Sequence, residues 1–482
     1  MNNLNPATAS IANITGTAAL AGGVLAVFAP GTYAKTSYDV LHAAGGLGGT
    51  KFSSLSLSNP NFTANLSYTA TDVFLNLTGV TLGGGTPLNG GQQGVAGAIN
   101  NALNGGGTLP PGLAGLLGLT GNSLASALSQ LNGEVSTGAE RAAFQLTDQF
   151  LELMLDPFVN GRGYAPGLAG GGALGFAPDQ QTSLPDDVAL AYASILKAPP
   201  KPTFDQRWST WGTGFSGSNT TSGDPAVGSN NTTTGTFGFA AGADYHVSPY
   251  TVVGFALAGA GTNWGLANAL GTGRSEALQA GGYGITWFGP AYLAGSLAFS
   301  NHWFTTNRSA LGDQLSANFV GQSYGARAES GYRIAVLPTL GVTPYGAVQF
   351  QDFNTPAFGE VDTTGGGLGL NFAAQNSTDV RTELGSRFDA PTLVYGKPLV
   401  LYGRVAWAHD FVSNPALGAA FQALPGGAFT VNGAPIPHDS ALTTVGARLF
   451  LTANWSVIGK FDGEFAKGSQ TYAGSGTLRY TW

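Results

Sequence analysis

Cysteine is absent from the 482 residues, which excludes a disulfide framework, a thiolate nucleophile and every Cys-based zinc site. Charge is scarce as well: only 9% of residues are Asp, Glu, Lys or Arg, against roughly 25% in an average soluble domain. The net charge of -7 argues against general nucleic-acid binding. Five histidines, His42, His246, His302, His409 and His438, lie too far apart in sequence to resemble a ligand pair, so neither a metal site nor a cofactor is expected. Long apolar runs are missing too. No stretch of ~18 or more apolar, Gly-poor residues suggests a spanning helix, so if this chain crosses a membrane it must do so as a closed barrel.

What is plentiful is glycine, 75 residues, and alternation. Tyr472, Gly474, Gly476, Leu478, Tyr480 and Trp482 interleave with Thr471, Ser475, Thr477, Arg479 and Thr481. A period of two that sorts apolar from polar side chains describes a strand between two solvents. About twelve such segments follow one another from Phe204, near residues 206–217, 234–246, 250–262, 274–287, 290–303, 315–334, 340–352, 373–389, 397–412, 427–450, 454–466 and 469–482. An even count permits antiparallel closure.

Charges fall repeatedly on the polar side of the alternation: Asp244, Arg327, Glu329, Arg333, Arg381, Glu383, Arg387, Asp389, Arg404, Asp410, Arg448, Lys460, Asp462, Glu464 and Arg479. On a lipid face each Arg or Lys would cost roughly 2–4 kcal/mol at the midplane. A soluble core would exclude them unless every one were paired. A wet lumen is the simpler reading. Trp208, Trp211, Trp287, Trp303, Trp407, Trp455 and Trp482 lie near strand ends, the pattern of an interfacial aromatic girdle.

Upstream, three textures alternate. Residues 1–80 read as short strands, at Ala18 to Leu20, Val24 to Phe28, Ser37 to His42, Thr63 to Tyr68 and Val73 to Leu77. Ile11 to Ala29 is apolar, but no Lys or Arg precedes it and Gly16, Gly22 and Gly23 interrupt it, so strands are favoured over a signal peptide. Residues 81–200 read as a Gly- and Pro-rich linker holding a short helix at Gly94 to Leu103, a helical hairpin over about 122–158 bent near Gly133, a Gly- and Pro-containing stretch at 159–182 and a helix at 186–197. The last of these, followed by Pro199 and Pro200, is a candidate pore plug. Residues 201–482 form the barrel. The fold class expected is all-β with a helical linker: an antiparallel transmembrane barrel of about twelve strands preceded by a short parallel β-helix remnant.

Several stretches resemble the classical monomeric autotransporters of type V secretion. "GTAALAGGVLAVFAPGTYAKTSYDVLHAAGGLGGTKFSSL" followed by "NLSYTATDVFLNLT" resembles the last rungs and cap of a pertactin-like passenger β-helix, "ALSQLNGEVSTGAERAAFQLTDQFLELML" the segment between passenger and barrel, and "RWSTWGTGFSG", "FGFAAGADY", "ESGYRI", "VTPYGAVQF", "RTELGSRFD" and "GSGTLRYTW" the translocator barrel. The resemblance implies an outer-membrane protein of a Gram-negative bacterium that exports and anchors its own passenger at the cell surface, with no enzymatic activity and no cofactor. It implies outer-membrane lipid, periplasmic chaperones and the barrel assembly machinery as partners, a monomeric state, and a terminal assembly signal carried by Leu478, Tyr480 and Trp482. A chain opening inside a β-helix cap implies further rungs upstream or a member with almost no passenger. An adhesin merely anchored by its barrel and a plugged porin-like pore are the alternatives.

Two motifs argue for chemistry and are set aside. Some relatives cleave themselves at paired asparagines, whereas here Asn132 stands alone before Gly133 and reads as a turn. "GQSYG" (Gly321 to Gly325) satisfies a hydrolase nucleophile pattern, but that pattern needs a strand-to-helix elbow and Ser323 falls within an expected strand.

Overall fold

The computed structural model describes residues 2–4, 8–29, 36–113, 115–159, 207–337 and 339–482. The expected helix at 186–197, and the expected linker beyond Val159, lie outside the described residues.

The amino-terminal part is built from β1 (Asn2–Leu4), β2 (Ala12–Ile14), β3 (Gly23–Phe28), β4 (Ser37–Ala43), β5 (Ser54–Leu57), β6 (Phe62–Tyr68) and β7 (Asp72–Val80). β1, β3 and β5 stack in parallel, as do β2 and β4. β7 then pairs antiparallel with both β4 and β6, closing the stack with a hairpin. The two sheets pack together because neither can bury its own apolar face alone; Tyr38, Val40, Val73 and Leu75 fill the shared interior. Ala18 to Leu20 forms no strand, while Ser54–Leu57, whose "SLSL" carries little β-branched signal, does.

Three helices follow: α1 (Gly90–Asn104), α2 (Gly121–Leu131) and α3 (Gly138–Val159). α1 starts earlier than its apolar spacing suggests, because Asn89 and Gln92 form a reciprocal capping box that satisfies two otherwise orphaned donors. Gly133, at φ +73°, takes the left-handed conformation that separates α2 from the 3₁₀ turn Glu134–Thr137 and α3.

Next come β8 (Trp208–Thr221), β9 (Thr232–Ser248), β10 (Thr251–Leu266), β11 (Thr272–Phe288), β12 (Ala291–Ala310), β13 (Asp313–Tyr332), β14 (Ile334–Leu337), β15 (Leu340–Thr355), β16 (Phe358–Gly359), β17 (Val361–Asp362), β18 (Leu370–Phe372), β19 (Gln375–Val394), β20 (Lys397–Asp410), β21 (Ala416–Phe421), β22 (Ala428–Asn432), β23 (Asp439–Phe450), β24 (Trp455–Ala466) and β25 (Ser469–Thr481). Twelve of them, β8 to β13, β15, β19, β20, β23, β24 and β25, form one closed antiparallel ring. The ends meet where β25 pairs with β8, from Ser469 opposite Thr221 to Thr481 opposite Ser209, finished by reciprocal backbone bonds between Trp208 and Trp482.

The alternation sorts as a barrel requires. Phe237, Phe239, Phe255, Leu257, Leu293, Leu297, Leu384, Val405 and Val445 are exposed around the outside. Among the described residues no helix is long and apolar enough to cross a membrane; the strands do the crossing. The girdle expected from sequence needs correction at two positions. Trp208, Trp303, Trp407, Trp455 and Trp482 are exposed, but Trp211 and Trp287 point inward, where Trp211 donates to the Tyr283 hydroxyl at 2.8 Å and Trp287 packs on the lumen cluster. The segment 427–450 is likewise two strands, since the run "GAPIPHD" from Gly433 carries two prolines that cannot donate to a ladder.

At the end opposite Trp208 and Trp482, strands β16, β18, β21 and β22 pair into a small separate sheet made from two loops. Their inner side chains Leu370, Phe372, Phe421 and Phe429 share one core with α1, α2 and Phe62 and Leu82 of the amino-terminal part.

The candidate functional site is the barrel lumen

α3 runs down the barrel interior. Its start meets the loop end, where the Trp264 indole donates to the carbonyl of Val135 at 2.9 Å and Trp264 stacks beside Gly138. It then continues toward the end that holds the carboxyl terminus. The helix has two faces, and the lumen has two matching walls. Leu146, Phe150, Leu151 and Met154 press on the inward side chains of β8 to β12, among them Ala240, Ala256, Ala277, Ile285 and Ala294. Bare backbone lets the helix come close: a Cβ on Gly281 would lie 2.7 Å from Met154, and one on Gly325 2.6 Å from Thr147. The lumen is therefore not wet all round, as the charge pattern alone implied; one wall is apolar and sealed.

The other face carries Asp148, Glu152 and Asp156, spaced by four and so stacked on one stripe. Each meets a cation from the opposite wall. Asp148 lies 3.8 Å from Arg381, Glu152 lies 2.8 Å from Arg404, and Asp156 pairs with Lys460. Asp148 also accepts from Gln351 at 2.7 Å and from Gln349. Sequence reading missed this acidic stripe, because attention to apolar spacing in "AFQLTDQFLELML" hid the i, i+4, i+8 carboxylates between the hydrophobes.

Behind the stripe the wall is cross-linked. Arg327 bridges Glu383 at 2.7 Å and Glu329 at 2.9 Å, and Arg387 reaches Glu329 at 2.9 Å while lying over the Tyr345 ring. Arg404 is also 3.8 Å from Glu383 and from Asp462, and Lys460 lies 2.9 Å from Asp462. Arg381 pairs with Asp410 at 2.8 Å and with Glu464. Arg479 pairs with Asp244, which also accepts from Ser209. Arg333 and Asp389 pair at 2.6 Å near the carboxyl-terminal end. Arg448 makes no ion pair among the described residues; its guanidinium lies 4.6 Å from the Phe450 ring centre. The charged residues singled out from sequence are buried or half-buried, all of them on ring strands except Arg333, which lies just beyond the end of β13.

Leu478 and Trp482 face outward, and Tyr480 sits between the rings of Trp455 and Trp482. The Asn132 side chain is buried at the head of the turn made by Gly133, and the neighbouring Glu134 accepts from the backbone and side chain of Asn230 at 2.6 and 2.5 Å. Burial raises the Glu134 carboxyl above the usual range. Ser323 bonds His302 at 2.9 Å, but it stands mid-strand in β13 and His302 Nδ1 has no partner, so no acid orients the imidazole as a triad requires.

A closed twelve-stranded ring, apolar outside, with a charged lumen filled by a helix from its own chain, defines an outer-membrane barrel with a threaded interior. A family model described as the autotransporter beta-domain matches residues 210–462, more than half of the sequence, and the chain belongs to the autotransporters. Among solved structures, it is similar to the translocator domain of NalP from Neisseria meningitidis, with 15% identity, covering 61% of this chain and 97% of that one at a TM-score of 0.47. It is also similar to the beta domain of BrkA from Bordetella, with 16% identity, 57% and 100% coverage and a TM-score of 0.44. The transport unit of AIDA-I from Escherichia coli gives 16% identity, 62% and 97% coverage and a TM-score of 0.40. No protein of curated function matches the sequence. The barrel of this family is a non-enzymatic transport and anchoring domain.

Proposed function

We propose that the chain exports its own amino-terminal part through the barrel and then holds it at the cell surface. One observation carries this reading. Phe62, Leu82, α1 and α2 share a core with the loop-end sheet, the first barrel strand begins at the opposite end, and α3 runs inside the ring from the loop end toward that end. That arrangement supports the reading, because it is the one expected of a chain whose amino-terminal part has crossed through the lumen. The lumen chemistry suits such a passage, since a polar wall tolerates an extended segment of any sequence, and the same wall then pairs with the acidic stripe of α3. Folding of the amino-terminal part beyond the pore supplies direction, so no nucleotide is required. Outer-membrane lipid, periplasmic chaperones and the assembly machinery that reads the Leu478, Tyr480 and Trp482 end are the partners of this reading.

Protease added to intact cells tests it. Residues 1–131 should be cut while the barrel resists until the membrane is broken. An amino-terminal part that is protected in intact cells and digested from the periplasmic side would overturn export. Planar-bilayer conductance separates the translocator from an open pore: it should stay small in the full chain and rise when α3 is removed.

A further inference from the structure

We propose that the outer face of the seam between β25 and β8 is a binding site for one acyl chain of a membrane phospholipid. The ring is apolar outside, so hydrocarbon covers it, and at the seam that surface is hollow. Gly459, Gly476 and Gly214 stand abreast on β24, β25 and β8, and a Cβ built on any of them meets nothing. Ser216 and Gly474 form the next row, and the Ser216 hydroxyl donates to the carbonyl of Thr236 at 3.1 Å, which leaves this floor without a free polar side chain. Aromatic ridges flank it. On one side Phe237 and Phe239 of β9 are 59% and 60% exposed, and on the other Phe461 and Tyr472 stack with ring centres 6.2 Å apart. The groove over Gly214, Ser216, Gly474 and Gly476, walled by Phe237 and Phe239, measures about 700 Å³.

Water finds no partner on that floor, whereas a hydrocarbon chain gains contact with bare backbone beneath it and rings beside it. Length says which lipid. Trp208 and Gly214 lie six residues apart on β8, about 20 Å along the strand and roughly 15 Å along the membrane normal at the tilt of a barrel strand. That is half of a ~30 Å hydrocarbon core, the reach of a chain from one leaflet. Its head group then falls at the aromatic end of the seam, where Trp208 packs on Tyr245 with ring centres 4.8 Å apart and the exposed Arg207 guanidinium donates to the Tyr245 hydroxyl at 3.4 Å. A guanidinium at that height suits a phosphodiester, so the occupant is a phospholipid of the leaflet that meets Trp208 and Trp482. The site rests on the outer-membrane position of the ring and not on export.

Native mass spectrometry tests it on the full chain, refolded in detergent with dipalmitoyl phosphatidylethanolamine and with closure verified by heat-modifiable mobility. One phospholipid should stay on each chain. Gly214→Leu combined with Gly476→Leu fills the groove at two positions where a Cβ meets nothing, and should lower the retained fraction at least 10-fold. Arg207→Glu should lower it several-fold. Gly282→Leu, on the outer face of β11 away from the seam, should leave it unchanged. Retention that persists in the filled variant or in Arg207→Glu overturns the site, as does an equal loss in Gly282→Leu, a parent chain that keeps no lipid, or retention of lipid A in preference to the phospholipid. A dimer of chains that filling the groove abolishes also overturns it, with a second copy as the occupant.

Discussion

Glu152 on α3 and Arg404 on β20 lie 2.8 Å apart, and the same guanidinium sits 3.8 Å from Glu383. Plug and wall therefore share one arginine. Glu152→Ala leaves Arg404 short of a partner in a mostly buried setting, a loss of roughly 2–4 kcal/mol, toward the lower bound because Glu152 keeps 22% of its side chain exposed. The loss falls on the seating of the helix, not on the ring. Single-channel recording should show frequent large openings in Glu152→Ala and few in the parent.

Close approach of helix and strand supplies the second prediction. A side chain at Gly325 enters the space of Thr147 and Leu151. Gly325→Leu should leave heat-modifiable mobility intact while α3 exchanges its amide hydrogens faster, because overpacking of about 1–3 kcal/mol or more acts only on the seated helix. Unchanged protection of α3 would count against the packing described.

The terminal strand supplies the third. Trp482 completes the seam with β8 and, with Leu478, presents an exposed apolar edge. Deleting Tyr480 to Trp482 should lower the amount of chain inserted in the outer membrane more than it alters any activity of the amino-terminal part. Normal insertion after the deletion withdraws the assembly-signal assignment.

A fourth concerns the shared core at the loop end. Phe421 is buried against α1 and α2, and Phe421→Ala should cost about 3–5 kcal/mol. Proteolysis of residues 1–131 should accelerate with no change in barrel closure. Faster digestion of the barrel as well would mean the two parts unfold together.

The fifth is a pH dependence in the amino-terminal sheets. Hydrogen bonds from Thr71, His42 and Thr69 hold the Asp72 carboxyl down at about 2. Its folded value lies below the unfolded one of about 3.9, so the contribution is complete above roughly pH 4 and disappears as pH falls toward 2. The difference in protease resistance between parent and Asp72→Asn should be present at pH 7 and vanish near pH 2. A constant difference would contradict the assignment.

How far the sequence foretold the structure depends on how local each signal was. The barrel strands were legible because each of them separates two solvents, and a one-residue slip would exchange every side chain. Trp211 and Trp287 misled because an aromatic near a strand end satisfies either face; only the Tyr283 partner decides for Trp211. The Asp148, Glu152 and Asp156 stripe was in plain sight but is informative only once Arg381, Arg404 and Lys460, more than 200 residues away, are known to face it. The loop-end sheet was illegible for the same reason. β16, β18, β21 and β22 are too short to show a period and acquire meaning only by pairing across separate loops.

That loop-end core has a consequence for the integrity of the molecule. Phe62 from β6, Leu128 from α2 and Phe421 from a barrel loop sit in one cluster, and Arg308 of β12 adds a 2.7 Å bond to the carbonyl of Gln130. Peptide continuity across Asn132 and Gly133 is then not all that keeps the amino-terminal part in place. A chain severed there would behave as a split protein whose fragments complement one another, and shedding would need the apolar joint to melt as well as the backbone to break.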